Sequence, residues 1–372
     1  MEIRDPIHGN IAVGPVEERI IDTPEMQRLR YIKQLDLSYL VFTGANNTRF
    51  EHSLGTMQVC KDLFLGALGR DEAEFSYVGL LHDIGHGPFS HLSEPYIERA
   101  IGKNHEQLGE ERIRTSEISD IISDSGMSLN KILAYFRGSE KINVVGGALG
   151  ADRIDYLMRD SLYTGVAYGI IDYDRLKTRL VLYKGRVAVL ESGISGAESM
   201  LIARYFMHSN VYMHHAKVIA AQMLGKAMGM AVTVRAIEPR EMWDMTDEEL
   251  LISLRKSGIK AVEDLTRRVV ERRLYKRAYD GPIGPGVTLD EVKRAAGRAG
   301  LDDSEFIAHV IKLGGDTDDI TVVDRDGRRV GKLTEVSPFI KTLMDVLARK
   351  RLIVACDRKN VAKLRAAVAK VV

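Results

Sequence analysis

The sequence predicts a mostly α-helical protein, a helical bundle carrying one small β-hairpin, followed by a small α+β lobe at its C-terminal end. Three observations carry this expectation. Apolar residues recur at helical spacing in successive stretches between residues 22 and 278. Within that span only 180–191 alternates like a strand pair, around the turn Lys184-Gly185. Beyond the breakers Gly281-Pro282 and Gly284-Pro285-Gly286, short strands alternate with short helices. At 372 residues the chain exceeds one typical domain, so the expected division is 1–280 and 287–372.

Taken in order, residues 1–21 are extended in character, broken by Pro6, Gly9, Gly14 and Pro15. A helix is expected to start at Asp22-Thr23-Pro24, a capping residue followed by proline at the first helical position, with Met26, Leu29, Ile32 and Leu35 inside. ArgPheGluHis at 49–52 opens a second helix that buries Met57, Cys60, Phe64 and Leu68. An apolar helix, roughly Phe75 to Ile84, delivers His82 and Asp83 before Gly85, Gly87 and Pro88 stop it. Further helices are expected near 94–101, from His105 through much of 110–136, at 149–164, along 196–230 and across 246–278. The tail reads as a helix near 288–299, a hairpin at 320–335 turning on Asp326-Gly327, a helix at 337–349, a strand at 352–356 and a closing helix.

Composition narrows the function. A net charge of +1 provides no general attraction to nucleic acid or membrane. The basic C-terminal stretch from Arg349 to Lys370 lacks interleaved aromatics for base stacking and reads as solvated helix faces. No segment reaches the ~20 apolar residues of a membrane span, the N-terminus is charged, and Cys60 and Cys356 read as core residues. The expectation is a soluble, cytoplasmic protein.

The chemistry gathers in LLHDIGHGPFSH, residues 80–91, which holds His82, Asp83, His86 and His91. Histidine and carboxylate together suit a divalent metal bound through N and O. With His52 from the preceding helix and Asp152 from a distant one, His82 and Asp83 form a candidate metal set, because facing helices of a bundle can bring such residues together. A buried ionised aspartate after an apolar run is costly without a cation or several donors. His86, His91, Glu94 and His105 are candidates for proton transfer. Asp152, Tyr156 and Asp160 share one helix face, as do Arg204, His208 and Tyr212 on another helix; the latter stripe can grip phosphate and stack on a base or sugar.

Together these segments resemble the HD-domain phosphohydrolases, most closely the branch of dNTP triphosphohydrolases that includes the vertebrate enzyme with an added SAM domain. The matching text is DPIHGNI, RIIDTPEMQRLRYIKQL, NNTRFEHSLG, GLLHDIGHGPFSHLSE, HEQLG and DRIDYLMRD. It continues more weakly through RYFMHSNVYMHHAKV, MTDEELL and ERRLYK, so the likeness spans residues 3–280. The resemblance implies one divalent metal ion per subunit on His52, His82, Asp83 and Asp152, with Fe, Mn, Zn, Ni and Mg all admissible. It implies His91 beside the scissile bond, Glu94 and His105 as its acid/base partners, and His86 near the phosphates. Gln34, Arg49, Arg153, Tyr156, Asp160, Arg204, His208 and Tyr212 would form the deoxynucleoside and phosphate pocket, Arg153 standing where the vertebrate enzyme has Lys.

The implied reaction is attack of water on the α-phosphorus, releasing a deoxynucleoside and intact triphosphate. Another nucleotide (a monophosphate, cyclic phosphate or ribonucleotide) and a nucleotide-binding regulator with little catalysis are the rival readings. The resemblance also implies a homodimer or higher homo-oligomer, with a guanine nucleotide activator held between subunits by Asp22, Gln27, Arg30, Arg272 and Lys276. His214 matches a second activator site. There Leu190, Ser192, Gly196 and Asn210 replace Arg, Lys, Asn and Arg of the vertebrate enzyme, so the second site is expected to be absent or changed.

Overall fold

In the computed structural model, helices dominate residues 15–270, and the described residues are 1–63, 74–137, 143, 145–284, 286–312, 319–347 and 349–372. Phe64, Leu68 and Pro285, which figured in the sequence reading, lie outside them. The centre is a packed trio. The Arg49–Lys61 helix lies against both Glu74–Leu81 and Ala151–Thr164. Its start is specified locally: Thr48 caps the first turn and Glu51 returns a hydrogen bond to the Thr48 N–H. Phe50, Leu54 and Met57 face one core with Val78 and Leu81, and Val59 and Cys60 face another with Ile154 and Leu157. Each such apolar side chain contributes about 1.5–3 kcal/mol on burial. Both cysteines are buried and free.

A second layer is built on the His215–Thr233 helix, whose Met223, Leu224, Ala227 and Met228 pack with Leu250, Leu254, Val262 and Leu265 of the following helices. Among the described residues, no helix is long and apolar enough to cross a membrane.

Several elements differ from the sequence expectation. Residues 1–21 contain an antiparallel hairpin, Glu2–Asp5 with Gly9–Ala12, and a helix, Pro15–Ile21. The helix capped by Thr23 stops at Arg28 and ends in a 3-10 turn at Leu29–Tyr31, because Ile32 turns extended and Lys33 bridges to Thr48. The expected helix through 110–136 is three: His105–Thr115, Ile118–Asp124 and Leu129–Phe136. Serines cause the breaks. Ser116 and Ser125 bond back to the carbonyls of Ile113 and Ile122, competing with helical continuation, and Gly126 takes a φ of 80°.

The 196–230 helix is divided too. Ile194–Met207 ends in a π turn at His208–Tyr212, and His214 caps a new helix from His215. The block at 246–278 gives helices Asp247–Arg255 and Lys260–Val270, after which Arg272 adopts a φ of 55° and a strand begins at Lys276.

Gly281 and Pro282 lie inside that strand, Lys276–Pro282, which pairs antiparallel with Lys350–Cys356; Phe306–Lys312 lies on the other side. Pro282 is tolerated because it terminates an edge strand. The hairpin strands Thr321–Val323 and Arg329–Lys332 extend the Leu180–Tyr183/Arg186–Leu190 hairpin to four strands, with Val189 opposite Val322 in parallel register. The C-terminal α+β segment is thus joined to the helical part through two shared sheets.

Candidate active site

The centre of the bundle collects side chains from the ends of its three helices. Gly79 allows Glu74–Leu81 to lie close on Arg49–Lys61, since a Cβ there would press on Cys60 and the Thr56 carbonyl. That approach brings His52 Nε2 to 3.1 Å from His82 Nε2. Asp152 Oδ1 lies 3.0 Å from His52 Nε2 and 3.8 Å from His82 Nε2. Asp83 places Oδ1 3.3 Å from His82 Nε2 and Oδ2 3.8 Å from His52 Nε2. One ligand atom each from His52, His82 and Asp83 falls within 4.8 Å of the others.

Both imidazoles are spoken for at their other nitrogen. His82 Nδ1 donates to the Gly79 carbonyl at 2.8 Å and His52 Nδ1 to Asp155 Oδ2 at 2.8 Å. In the neutral rings both Nε2 atoms are therefore lone-pair acceptors, facing each other and two carboxylates. Four acceptors at these distances need a positive charge among them, a proton or a cation. Although burial disfavours the His52 imidazolium, hydrogen bonds to the carboxylates of Asp152 and, behind the ring, Asp155 raise its pKa to about 10. Burial likewise opposes ionisation of Asp83, yet Arg49 and His82 hold it well below the carboxylate range. This N2O2 acceptor set fits a divalent cation.

Beside it the loop after Leu81 presents the other histidines. His86 is buried, 3.4 Å from Asp83 Oδ1, and its ring stacks on His105 with centroids 4.2 Å apart. Burial and the neighbouring Arg49 push its pKa well below the ordinary value. Glu94 accepts from two rings at once: His91 Nδ1 at 3.0 Å and His105 Nδ1 in a short contact. Burial resists the Glu94 charge, but these two histidines hold it ionised, and in turn Glu94 raises the His105 pKa against burial. Phe89 and Ser90 sit at φ of 51° and 45°, a left-handed turn pinned where the Asp247 carboxylate accepts the Phe89 N–H at 2.7 Å.

These two clusters open into one cavity of about 580 Å³. Its lining takes in His82, Asp83, Asp152, His86, His91 and His105 at one end and Tyr156, Asp160, Arg204, His208 and Tyr212 at the other, with Gln34 and Arg49 on the wall. Glu94 stands behind the histidines, outside the lining, and Arg153 is also outside it, near enough that its charge lowers the Arg204 pKa after burial. Arg49 spends its guanidinium on Asp83 and Ser90, at 2.5 Å each. Tyr212 donates to Asp160 at 2.9 Å, and its ring meets Tyr156 edge-on at 6.2 Å. Burial pushes Asp160 up to about 6, while burial with Arg204 and Lys217 pulls His208 down to about 4. Buried polar atoms without partners include Gln34 Oε1, Arg204 Nη1 and His208 Nδ1, which leaves donors and an acceptor for a polar ligand.

The residues expected to hold a regulatory nucleotide fall into two groups within one chain. Gln27 Oε1 accepts from Arg30 Nε at 2.8 Å, with Asp22 exposed at the end of the Pro15–Ile21 helix. Arg272 and Lys276 line a separate cavity of about 310 Å³ with His215 and Arg277. His214 lies outside that lining and caps the next helix.

Residue-by-residue reading missed Asp155 behind His52, Asn47 on Asp160, Ser90 on Arg49 and Lys217 on the cavity wall. Asp155 carried a usable signal: it lies four residues before Arg159 in DRIDYLMRD, the spacing of a helical ion pair.

Comparison with known proteins agrees with this architecture. The HD domain model matches residues 49–160, and the model described as HD associated region matches residues 171–372. An uncharacterized protein of Methanocaldococcus jannaschii is 35% identical over 355 residues, covering 92% of this chain and 75% of that protein. The deoxynucleoside triphosphate triphosphohydrolase SAMHD1 of Gallus gallus is 29% identical over 73% of this chain, which spans 55% of that enzyme's length. A crystal structure of a hypothetical protein from Aquifex aeolicus superposes with a TM-score of 0.81 at 30% identity, covering 99% of both chains. A phosphohydrolase from Bacteroides thetaiotaomicron gives 0.77 at 25% identity over 96% of this chain and 99% of that one. With residues 49–160 and 171–372 matched by the two family models and the acceptor set at the centre, the chain belongs to the HD-domain phosphohydrolase superfamily.

Proposed function

We propose that the chain hydrolyses deoxynucleoside triphosphates to a deoxynucleoside and inorganic triphosphate. The observation that carries this reading is the single cavity joining the His52/His82/Asp83/Asp152 set and the His86/His91/His105 group to a pocket of two tyrosines and an arginine. Its likeness to enzymes named deoxynucleoside triphosphate triphosphohydrolase supports the choice of substrate.

His52, His82, Asp83 and Asp152 would hold a divalent ion, which supplies a water of lowered pKa and polarises a phosphoryl oxygen. Arg204 and Lys217 offset the charge of the phosphates from the cavity wall. As the water oxygen gives up a proton to solvent and bonds to the α-phosphorus, the bond to the 5′-oxygen breaks and that oxygen needs a proton. His91 supplies it: Glu94 fixes the ring through Nδ1, which leaves Nε2 free to donate, and 70% of the side chain is exposed. Tyr156 and Tyr212, edge-on to each other at 6.2 Å, would close the sugar end, where a ring against C2′ would disfavour a ribose hydroxyl.

Gln27 and Arg30 on one side and Arg272 and Lys276 on another match a guanine-nucleotide site shared between subunits, so a homo-oligomer goes with this reading. The experiment is a product screen over dNTPs, NTPs, monophosphates and cyclic nucleotides, with and without GTP, on protein purified anaerobically with its metal assayed. Release of triphosphate from dNTPs is expected.

A further inference from the structure

Behind His52, outside the cavity lining, stands a hydrogen-bond chain that the N-terminal hairpin completes. Asp155 is wholly buried and receives four hydrogen bonds: His52 Nδ1 at 2.8 Å, His8 Nε2 at 2.7 Å, and Arg159 Nε and Nη2 at 2.9 Å each. An ionised carboxylate has about four acceptor positions, so all are used and the group has no alternative pose. Against the cost of burial, Arg159, His52 and His8 hold it ionised, far below the usual carboxylate range.

Two further pieces depend on the hairpin. Asp5 ties the turn together, its Oδ1 accepting the Ile7 and His8 N–H groups at 2.8 and 2.9 Å. Its Oδ2 accepts from Arg159 Nη1 at 2.8 Å. The turn thereby grips Arg159 and presents the His8 ring to Asp155, while Gly9 closes it at a φ of 74°. On the opposite side Gly55, three residues after His52, has no Cβ; one added there would collide with Asp155 Oδ1 and Arg159 Nη2. The four-donor arrangement leaves Asp155 nowhere to retreat.

We propose that His8, with Asp5 and Arg159, is a positioning residue of the ion site: the hairpin turn locks Asp155, and Asp155 fixes the His52 ring and tautomer so that Nε2 faces His82, Asp83 and Asp152. This rests on the metal set of the proposed function and goes beyond it by making residues 5–9, more than 40 positions away in sequence, part of the site. Outer partners of this kind change metal affinity by about 10–100-fold when lost.

The test is Co²⁺ binding to chelator-stripped full-length protein, read by competition titration and by the visible d–d absorption of the bound ion, with far-UV circular dichroism as a check on folding. His8→Leu removes the donor and is expected to weaken Co²⁺ binding about 10–100-fold and to shift the d–d band. His8→Gln keeps an N–H donor and is expected to restore most of both. Gly55→Ala, which touches no ion ligand, is expected to reproduce the His8→Leu spectrum and serves if His8→Leu fails to fold. Wild-type affinity and spectrum in folded His8→Leu or Gly55→Ala overturn this inference alone. A wild-type protein that binds no Co²⁺ overturns the metal set and this inference with it.

Discussion

Replacing Glu94 by Gln keeps its shape and removes the charge that joins two histidines. In the native site one carboxylate accepts from His91 at 3.0 Å and from His105 in a shorter contact. The amide offers one acceptor and turns its NH2 toward the other ring, so one of the two bonds becomes donor against donor. A hydrogen bond to a charged group is worth about 1.5–3 kcal/mol. At 1.36 kcal/mol per decade, its loss from the transition state slows turnover about 10- to 150-fold. The pH dependence moves as well. Glu94 raises the His105 pKa against burial, so the protonated form persists to higher pH in the native pair and less so in the variant. The alkaline limb of kcat/KM must therefore move to lower pH, as a property of the coupled Glu94–His105 pair. Steady-state hydrolysis of a dNTP across the neutral range measures both. Near-native turnover with an unmoved alkaline limb would refute the role given to this cluster.

Arg159→Met leaves Asp5 and Asp155 buried without their shared cation, which is expected to cost about 3–5 kcal/mol in urea unfolding; a loss under about 1 kcal/mol contradicts the ion network. Because Asp155 is held well below the ordinary carboxylate value, its stabilisation is complete above the unfolded pKa near ~4 and fades on acidification. The gap between Arg159→Met and the native protein should narrow accordingly. Tyr212→Ala removes the ring proposed to face the sugar, together with its bond to Asp160, and the preference for dNTP over NTP should fall about 10- to 200-fold in kcat/KM. Stripping the divalent ion should abolish hydrolysis and lower the melting temperature, with about 2.7 kcal/mol regained at an ion concentration a hundredfold above Kd.

How far the molecule could be read from its residues varies by place. His82-Asp83 at the end of an apolar helix needed a counter-charge, which the structure supplies from Arg49, 2.5 Å from Asp83 Oδ2, while His52 and Asp152 face the same pair. The Arg204, His208 and Tyr212 stripe lines the cavity although a π turn interrupts the expected continuous helix. Helix breaks at Ser116 and Ser125 were hidden because a serine's bond to a carbonyl behind it competes with helix only in context. The strand pairing of Lys276–Pro282 with Lys350–Cys356 was hidden because its Gly281-Pro282 end carries a loop composition. His8 and Asp5 were beyond residue-by-residue reading for a different reason: their role exists only through Asp155, about 150 residues away.

The central claim is tested most directly by separating the products of a dNTP hydrolysed by metal-loaded protein, using anion-exchange chromatography or phosphorus NMR. Intact inorganic triphosphate in equal amount to deoxynucleoside is the predicted result. Orthophosphate as the only inorganic product would contradict it.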